Sequence, residues 1–279
     1  MMKMIRAFTL HMATCALLPL VTGCSLDSRF VYFPTPWESR DWAAVSGLPI
    51  QDVMFKASDG VELHGWMIPA ANDAPWMLWC HGNAGTMINR LENIAELHRR
   101  NISVLTFDYR GYGRSSGTPS EAGLYRDALA AYDVLTRQYH VSPQHLVLFG
   151  QSLGAAVATE LATKRKAAGL ILETPFSSVT QMFRATHTPL VLRPLIRARY
   201  NVIQRLPRVQ MPVLVLHGDH DEVIPLALGQ QVYEAASPPK DFYLIRGANH
   251  NDTYAVGGEP YFQRLLRFIR EVTAHDAAI

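Results

Sequence analysis

A serine between two glycines is the pattern with the clearest chemical meaning in this chain. It lies in the run Gly150-Gln151-Ser152-Leu153-Gly154. Residues 145–149 predict a strand, and the Ala-rich residues after the serine, up to 164, predict a helix. In that setting the pattern is typical of a nucleophile elbow, because the glycines allow a sharp turn that exposes the hydroxyl. The chemistry indicated is nucleophilic attack by Ser152.

Attack by a serine requires a base to take the hydroxyl proton and an acid to orient that base. His250 is the only histidine between the last predicted strand and the last predicted helix, so we predict that it is the base. The acid is expected in the loop after the strand predicted at residues 212–216. The chain order serine, acid, histidine is the one that accompanies a nucleophile elbow.

Three acids compete for that role in residues 217–225. We favour Asp221, because it lies in the middle of the loop, before a proline that can start the next helix. Asp219 and Glu222 are more easily explained as solvated or turn-stabilising residues. Glu173, at the end of an earlier predicted strand, is a more distant alternative.

The attack places a negative charge on oxygen, which two backbone N–H groups can stabilise. Leu153 can supply one, because the first N–H groups of a helix have no partner within it. The other is expected from His81-Gly82-Asn83-Ala84-Gly85, the turn after the strand predicted at residues 76–80. Asn83 is the first choice and Ala84 the second. A plain strand-to-helix turn with no catalytic part is the alternative.

These residues must be positioned by strands that alternate with helices. Residues 51–57 and 61–68 predict an antiparallel hairpin. Further strands are predicted at residues 76–80, 102–107, 145–149, 168–172, 212–216 and 242–245. Helices are predicted at residues 87–100, 118–138, 153–164, 227–236 and 259–272, the second opened by a capping box and a first-position proline in Thr118-Pro119-Ser120-Glu121. This alternation predicts an α/β fold, a mainly parallel sheet with helices on both faces.

Length and charge limit the class of protein. The chain has 279 residues, which suits one globular α/β domain, and a formal net charge of +2. Both surplus charges, Lys3 and Arg6, lie in the first 23 residues, and the remainder holds equal numbers of basic and acidic residues. The absence of a net charge on residues 24–279 argues against a nucleic-acid-binding protein.

The first 23 residues have the features of an export signal. Two basic residues precede an apolar stretch, residues 7–20, that is too short to span a bilayer as a stable helix. Leu20-Val21-Thr22-Gly23-Cys24 resembles a bacterial lipobox, which implies acylation of Cys24 and a lipid anchor in a membrane. Ser25 in the next position implies the outer membrane, on its periplasmic side. An ordinary signal peptide or a buried N-terminal helix is the alternative.

Cysteine use agrees with export. With Cys15 in the signal and Cys24 acylated, only Cys80 would remain, and no internal disulfide could form. Cys80 ends an apolar run and is interpreted as a buried small hydrophobe rather than a functional thiol. The sequence contains no CxxC or HExxH pattern, so we expect no metal site, and serine chemistry needs no cofactor.

Two further stretches could contact a membrane. Residues 25–50 are rich in aromatic side chains; we favour their packing over the edge of the core, with the lipid interface as the alternative. Residues 174–210 interleave apolar residues with arginines and contain no acid, so they could rest on anionic headgroups or admit an acyl chain. Alternatively, the arginines are solvated or paired with acids elsewhere. The arginines are Arg184, Arg193, Arg197, Arg199, Arg205 and Arg208.

Taken together, the motifs resemble the α/β-hydrolase superfamily and, within it, the BEM46-like group, which also includes mammalian α/β-hydrolase-domain proteins. The matching runs occur in order over residues 50–272. They are His81-Gly82-Asn83-Ala84-Gly85, Asp108-Tyr109-Arg110-Gly111-Tyr112-Gly113, Ser116-Gly117, Pro119-Ser120-Glu121, Gly150-Gln151-Ser152-Leu153-Gly154, His217-Gly218 with Asp221 and Pro225, and Asn249-His250.

The resemblance implies the α/β-hydrolase fold with a small helical cap. The roles it implies are Ser152 as nucleophile, Asp221 as acid, His250 as base, and Asn83 and Leu153 as donors of the oxyanion hole. Asp108 and Arg110 also match, and we assign them to structure around the site. We divide the chain into residues 1–23 (signal peptide), 24–50 (tether and lead-in) and 51–279 (hydrolase domain, with residues 174–210 as the cap).

Three functions fit these observations. The first is hydrolysis of a small-molecule acyl ester, lipid-derived or a thioester, through an acyl-enzyme. The second is a serine peptidase or amidase with the same three residues. The third is a non-catalytic surface lipoprotein that keeps the fold as a binding module. The sequence does not predict an oligomeric state.

Overall fold

The computed structural model describes residues 31–185 and 196–274. Its centre is an eight-stranded sheet, whose strands we label in chain order. They are β1 Gln51–Lys56, β2 Glu62–Ile68, β3 Trp76–Cys80, β4 Ser103–Asp108, β5 Leu146–Gln151, β6 Gly169–Glu173, β7 Val213–Gly218 and β8 Lys240–Ile245.

The strands lie in the order β1-β2-β4-β3-β5-β6-β7-β8. β2 pairs antiparallel with both β1 and β4, so the predicted hairpin is present at one edge of the sheet. All the other pairs are parallel. Because β3 to β8 run in the same direction, their carboxyl ends meet at one edge, where loops can bring distant residues together. The predicted α/β fold with a mainly parallel sheet is confirmed.

Helices cover both faces of the sheet. They are α1 Trp42–Ser46, α2 Leu91–Arg99, α3 Glu121–Asp133, α4 Leu153–Ala162, α5 Val179–Ala185, α6 Val202–Arg205, α7 Leu226–Ala235 and α8 Thr253–Thr273. One apolar core joins the sheet to α3, α4, α6 and α7, and a second joins it to α2 and α8. The split follows the alternation of side chains along each strand: Leu78 enters the first core, and its neighbours Met77 and Trp79 enter the second.

The predicted start of α3, the helix expected at residues 118–138, is wrong. Ser120, not Thr118, is the N-cap, and its hydroxyl accepts a hydrogen bond from the N–H of Gly123. Pro119 therefore precedes the cap instead of occupying the first helical position. The carboxylate of Glu121 accepts hydrogen bonds from the backbone N–H groups of residues 199 and 200 in the cap region. Glu121 is thus engaged in a tertiary contact that local capping rules do not anticipate.

Other boundaries differ as well. The last helix begins at Thr253, whereas its predicted start is residue 259. Met87–Arg90 forms a 3-10 turn ahead of α2 rather than the first turn of one continuous helix. The helical segment that begins with α3 continues to Gln138, as predicted, but residues Val134–Gln138 form a π-helix. These shifts leave the order of elements unchanged.

The described part of the lead-in packs against the α/β domain. Tyr32 is buried and its hydroxyl shares a hydrogen bond of 2.8 Å with that of Tyr200. The ring of Trp37 contacts those of His64 and Trp66 edge to face. These contacts agree with packing over the edge of the core, the interpretation we favoured for this stretch.

In the cap, Arg205 is paired with acids of the main domain. Its guanidinium forms ion pairs with Glu160 of α4 and Glu121 of α3. Arg193 lies outside the described residues, in the range 186–195. The signal segment and Cys24 also lie outside them, in the range 1–30. Within the described ranges, no helix combines the length and the apolarity needed to cross a bilayer.

A buried ion pair connects the hairpin, the loop after β4 and α3. Arg110 is only 4% exposed and donates hydrogen bonds to Asp127, which is fully buried, at 2.7–3.1 Å. The same guanidinium donates to Asp59 in the β1–β2 turn at 2.8 and 3.0 Å. Removing a partner from a buried pair is costly, because the remaining charge stays desolvated.

We therefore expect Asp127→Ala to lower the free energy of unfolding by about 3–5 kcal/mol. Arg126→Ala is the matched control, because Arg126 also pairs with Asp59 but is 40% exposed; its loss should cost about 1 kcal/mol or less. Denaturant unfolding of both variants measures the difference. Equal effects would show that the network does not stabilise the fold as a buried pair.

Candidate active site

Ser152 lies at a tight turn between β5 and α4. Its backbone has φ 54° and ψ −116°, a conformation that residues other than glycine rarely adopt. Such a backbone costs about 1–3 kcal/mol and persists only where the surroundings impose it. The N–H of Ser152 donates to the carbonyl of Glu173, the last residue of β6, at 2.9 Å. The turn is therefore fixed to the neighbouring strand.

Both glycines of the motif are required by close backbone contacts. A Cβ on Gly154 would overlap the carbonyl oxygen of Cys80 at the end of β3. A Cβ on Gly150 would overlap the backbone of Gly154 and Ala155. The first turn of α4 thus lies directly against the end of β3, and Ser152 is held above the sheet.

The structure brings Ser152, His250 and Asp221 into one hydrogen-bonded chain. The Oγ of Ser152 is 3.0 Å from Nε2 of His250, and Nδ1 of His250 is 2.8 Å from Oδ2 of Asp221. The three residues come from the loops after β5, β8 and β7, which are remote in sequence. For Nε2 to accept the serine proton, Nδ1 must carry the ring hydrogen, and the carboxylate of Asp221 accepts a hydrogen bond from that N–H.

Asp221 is held by its own loop and by a second histidine. Its Oδ1 accepts hydrogen bonds from the N–H groups of Val223 at 2.9 Å and Ile224 at 2.7 Å. Burial alone would raise the pKa of Asp221, but hydrogen bonds from His217 and His250 outweigh burial and hold that pKa below its ordinary value. The side chain is therefore a carboxylate at neutral pH and can stabilise a positive charge on His250.

The competing acids make other contacts. Asp219 is exposed, and its carboxylate accepts a hydrogen bond of 2.6 Å from the N–H of Gly247. Glu222 is also exposed. Glu173 is fully buried beneath the elbow, where it accepts hydrogen bonds from three side chains, and burial raises its pKa. The three donors are Gln151, Thr253 and Tyr261.

The turn after β3 is anchored through the side chain of Asn83. Its Nδ2 donates to the carbonyl of Val31 at 2.6 Å, and its Oδ1 accepts from the N–H of Phe33 and the hydroxyl of Tyr112. No hydrogen bond from the backbone N–H of Asn83 or of Leu153 is found to any group in residues 31–185 and 196–274. Both residues line the cleft around Ser152.

The cleft above Ser152 has a volume of about 650 Å³ and a mainly apolar lining. α5 of the cap contributes part of one wall, and the lead-in another. The apolar lining residues are Val31, Phe33, Trp79, Leu153, Phe176, Val179, Met182, Phe183, Val223 and Ile224. A cleft of this kind accepts a small molecule with an apolar portion.

Among the described residues, neither a reactive thiol nor a metal-binding cluster is found at this site. Cys80 is 1% exposed, and burial raises its pKa to about 12, so its thiol is unreactive at neutral pH. Within the ranges that the structure describes, no three His, Cys, Asp or Glu side chains cluster in a way that could hold a metal ion.

Sequence reasoning assigned no role to two residues close to the site. His217 is the last residue but one of β7, and its Nε2 lies 3.4 Å from Oδ2 of Asp221, a contact that the four-residue spacing alone does not reveal. Arg90 lines the cleft from the 3-10 turn before α2. A cation so close to the start of a helix is disfavoured by the helix dipole, and this anomaly could have drawn attention to it.

Comparisons with known proteins identify the family of this chain. The Hydrolase_4 family model, described as "Serine aminopeptidase, S33", matches residues 73–194 and 182–253. The chain is 40% identical over 251 residues to an uncharacterized protein of Mycobacterium tuberculosis, covering 88% of each chain. It is 31% identical over 281 residues to the α/β hydrolase domain-containing protein WAV2 of Arabidopsis thaliana, covering 90% of this chain and 91% of WAV2.

Solved structures show the same architecture. The esterase Pf2001 of Pyrococcus furiosus superposes with a TM-score of 0.71 at 21% identity, covering 86% of this chain and 98% of that chain. A hydrolase from Vibrio vulnificus superposes with a TM-score of 0.70 at 21% identity, covering 83% of this chain and 87% of that chain. Since the family model spans most of the chain and relatives reach 40% identity, this chain belongs to the α/β-hydrolase family.

Proposed function

We propose that this protein is a serine hydrolase that cleaves carboxylic esters through an acyl-enzyme. The observation that carries the proposal is the hydrogen-bonded chain from Ser152 through His250 to Asp221, at 3.0 and 2.8 Å, beneath a mainly apolar cleft. Esterases among the proteins of similar fold support the same reaction class.

The first half of the reaction transfers the acyl group to the enzyme. Oγ of Ser152 attacks the ester carbonyl while Nε2 of His250 takes the hydroxyl proton, and Asp221 stabilises the resulting imidazolium. The tetrahedral oxyanion accepts hydrogen bonds from the N–H groups of Asn83 and Leu153, each worth about 2.7–4 kcal/mol in such sites. The bond to the alcohol oxygen then breaks, and His250 returns its proton to that oxygen.

The second half releases the acid. A water molecule attacks the acyl carbon of the ester on Ser152, and His250 takes a proton from the water. The same oxyanion site stabilises the second tetrahedral intermediate. When it collapses, Oγ of Ser152 leaves and recovers its proton from His250. The carboxylic acid departs, and the enzyme returns to its starting state.

The lining of the cleft favours an ester over an aminopeptidase substrate. A free amino terminus is a cation, and its recognition calls for a carboxylate near the serine. Among the described residues that line the cleft, none is Asp or Glu, whereas Arg90 adds a positive charge. An apolar acyl group needs no carboxylate partner and can pack against the mainly apolar walls of the cleft.

The proposal extends to a lipid anchor at Cys24, on the strength of the lipobox-like run that ends there. Several acyl chains, each buried CH₂ contributing about 0.8 kcal/mol, would hold the mature chain on a leaflet. An anchored hydrolase of the bacterial envelope, facing the periplasm, would meet lipid-derived esters at the membrane surface.

Ser152→Ala should reduce ester turnover by about 10⁶-fold, because no other group can form the acyl-enzyme. Initial rates with 4-nitrophenyl butyrate measure the loss. Ser237→Ala is the control, since Ser237 precedes β8 at the edge of the sheet away from the cleft. Near-normal turnover by Ser152→Ala would mean that another nucleophile acts. A larger kcat/KM for alanine 4-nitroanilide than for the ester would favour an aminopeptidase instead.

Asp221→Asn should lower kcat by about 10⁴-fold while leaving the fold intact. An asparagine can still accept the backbone hydrogen bonds, but its NH₂ group would face Nδ1 of His250 and fix the ring in the tautomer that cannot take the serine proton. Asp219→Asn tests the choice between acids and should retain activity, because the Asp219 carboxylate accepts a hydrogen bond from the backbone N–H of Gly247, whereas Asp221 is the carboxylate that faces His250. The reverse result would reassign the acid.

Cys24→Ala should abolish lipid attachment of the full chain. Cells of a Gram-negative bacterium that express the protein would be grown with radiolabelled palmitate, and the protein would be followed in membrane and soluble fractions. We expect the original chain to carry label and to sediment with membranes. Cys80→Ala, which alters a buried thiol, should keep the label. Label that persists in Cys24→Ala would rule out this anchor.

A further inference from the structure

One positive charge lies inside the cleft. Among the described residues that line it, Arg90 is the only Lys or Arg, and none is Asp or Glu. Nη2 of Arg90 and Cβ of Ser152 lie 3.1 and 3.5 Å from the point that a Cβ on Gly82 would occupy. The guanidinium is thus at most roughly 7 Å from Ser152, beside the place where an ester carbonyl must lie.

Neutral acceptors hold the guanidinium in place. Its Nε donates to Oε1 of Gln151 at 3.3 Å, and its Nη2 donates to the carbonyl of Ala84 at 3.1 Å. Its Nη1 lies beside Gly85, another residue of the cleft wall. No carboxylate within the described ranges forms an ion pair with this side chain. The positive charge is therefore oriented but not neutralised.

Two buried acids, Asp108 and Glu173, act on this charge, but neither forms an ion pair with it within the described residues. Nε2 of Gln151 donates to Oε1 of Glu173 at 3.1 Å, so the amide of Gln151 stands between the guanidinium and the buried carboxyl group. Desolvation by burial lowers the pKa of Arg90, although an arginine stays protonated at neutral pH. A partly desolvated charge without a counter-ion is unfavourable, and an anion bound in the cleft would offset that cost.

We propose that Arg90 is a specificity-determining residue that binds an anionic group, a carboxylate or a phosphate, carried by the ester substrate. This inference rests on the proposed ester hydrolysis and narrows its substrate class to esters with a negative charge near the scissile bond. With a charge-assisted hydrogen bond of about 2.8 Å, the anionic group would lie roughly two to four covalent bonds from the reacting carbonyl carbon. The apolar walls accommodate the rest of the substrate.

A purely structural role for Arg90 makes a different prediction. Its hydrogen bond to Ala84 supports the turn that carries Asn83, so substitution could disturb the oxyanion site. That disturbance would slow charged and neutral esters by the same factor. Recognition of an anion instead changes the ratio between a charged ester and its neutral isostere. The ratio of kcat/KM values is therefore the decisive quantity.

Three substrate pairs measure this ratio. Monoethyl succinate against ethyl succinamate tests a carboxylate on the acyl side. O-butyryl glycolate against O-butyryl glycolamide tests a carboxylate on the alcohol side. Ethyl 3-phosphonopropanoate against its dimethyl phosphonate ester tests a phosphate-like group. Release of alcohol or acid is followed for the original chain, Arg90→Gln, Arg90→Lys and the control Arg208→Gln, which removes an exposed charge at the opposite edge of the sheet.

We expect the original chain to prefer the charged member of at least one pair by ~10-fold or more, the range for a hydrogen bond to a charged group. Arg90→Gln should bring that ratio close to one, Arg90→Lys should keep part of it, and Arg208→Gln should keep all of it. No preference in any pair, or a preference that survives in Arg90→Gln, would overturn the inference. Failure to hydrolyse any ester, charged or neutral, would instead refute the proposed function.

Discussion

The close approach of the first turn of α4 to the end of β3 is the constraint on which the site depends. Gly154 touches the carbonyl of Cys80 at a distance that no Cβ would permit. This contact, together with the hydrogen bond from Ser152 to the backbone of Glu173, holds the serine in its unusual backbone conformation above the sheet. Since six parallel strands end at the same edge, the loops that carry Asp221 and His250, 69 and 98 residues further along the chain, can meet beside Ser152.

Charge is distributed unevenly around that hydroxyl. On one side, the carboxylate of Asp221 faces His250 and is supported by two backbone N–H groups and by His217. This side favours a positive charge on the imidazole ring. In the proposed reaction, Arg90 and the backbone N–H groups of Asn83 and Leu153, which also line the cleft, would favour negative charge. Such a division suits a reaction in which the histidine becomes positive while the carbonyl oxygen becomes negative.

Much of this arrangement could be predicted from the sequence, because local patterns determine it. The strand–turn–helix context of Ser152 and the alternation of strands and helices are local signals, and both predicted the fold. The chain order of serine, acid and histidine indicated Asp221 and His250. Tertiary contacts limited the rest. Glu121 turns toward the cap instead of capping its helix, the loop after β7 folds back so that Asp221 meets His217, and the turn after β3 brings Arg90 close to Ser152.

Identification of the residue that a fluorophosphonate probe modifies tests the central claim most directly. The probe phosphonylates a serine only where a neighbouring base activates it. The purified folded chain should carry one adduct, located on Ser152 by mass spectrometry of its peptides, and Ser152→Ala should carry none. An unmodified folded protein, or an adduct on another residue, would contradict the account.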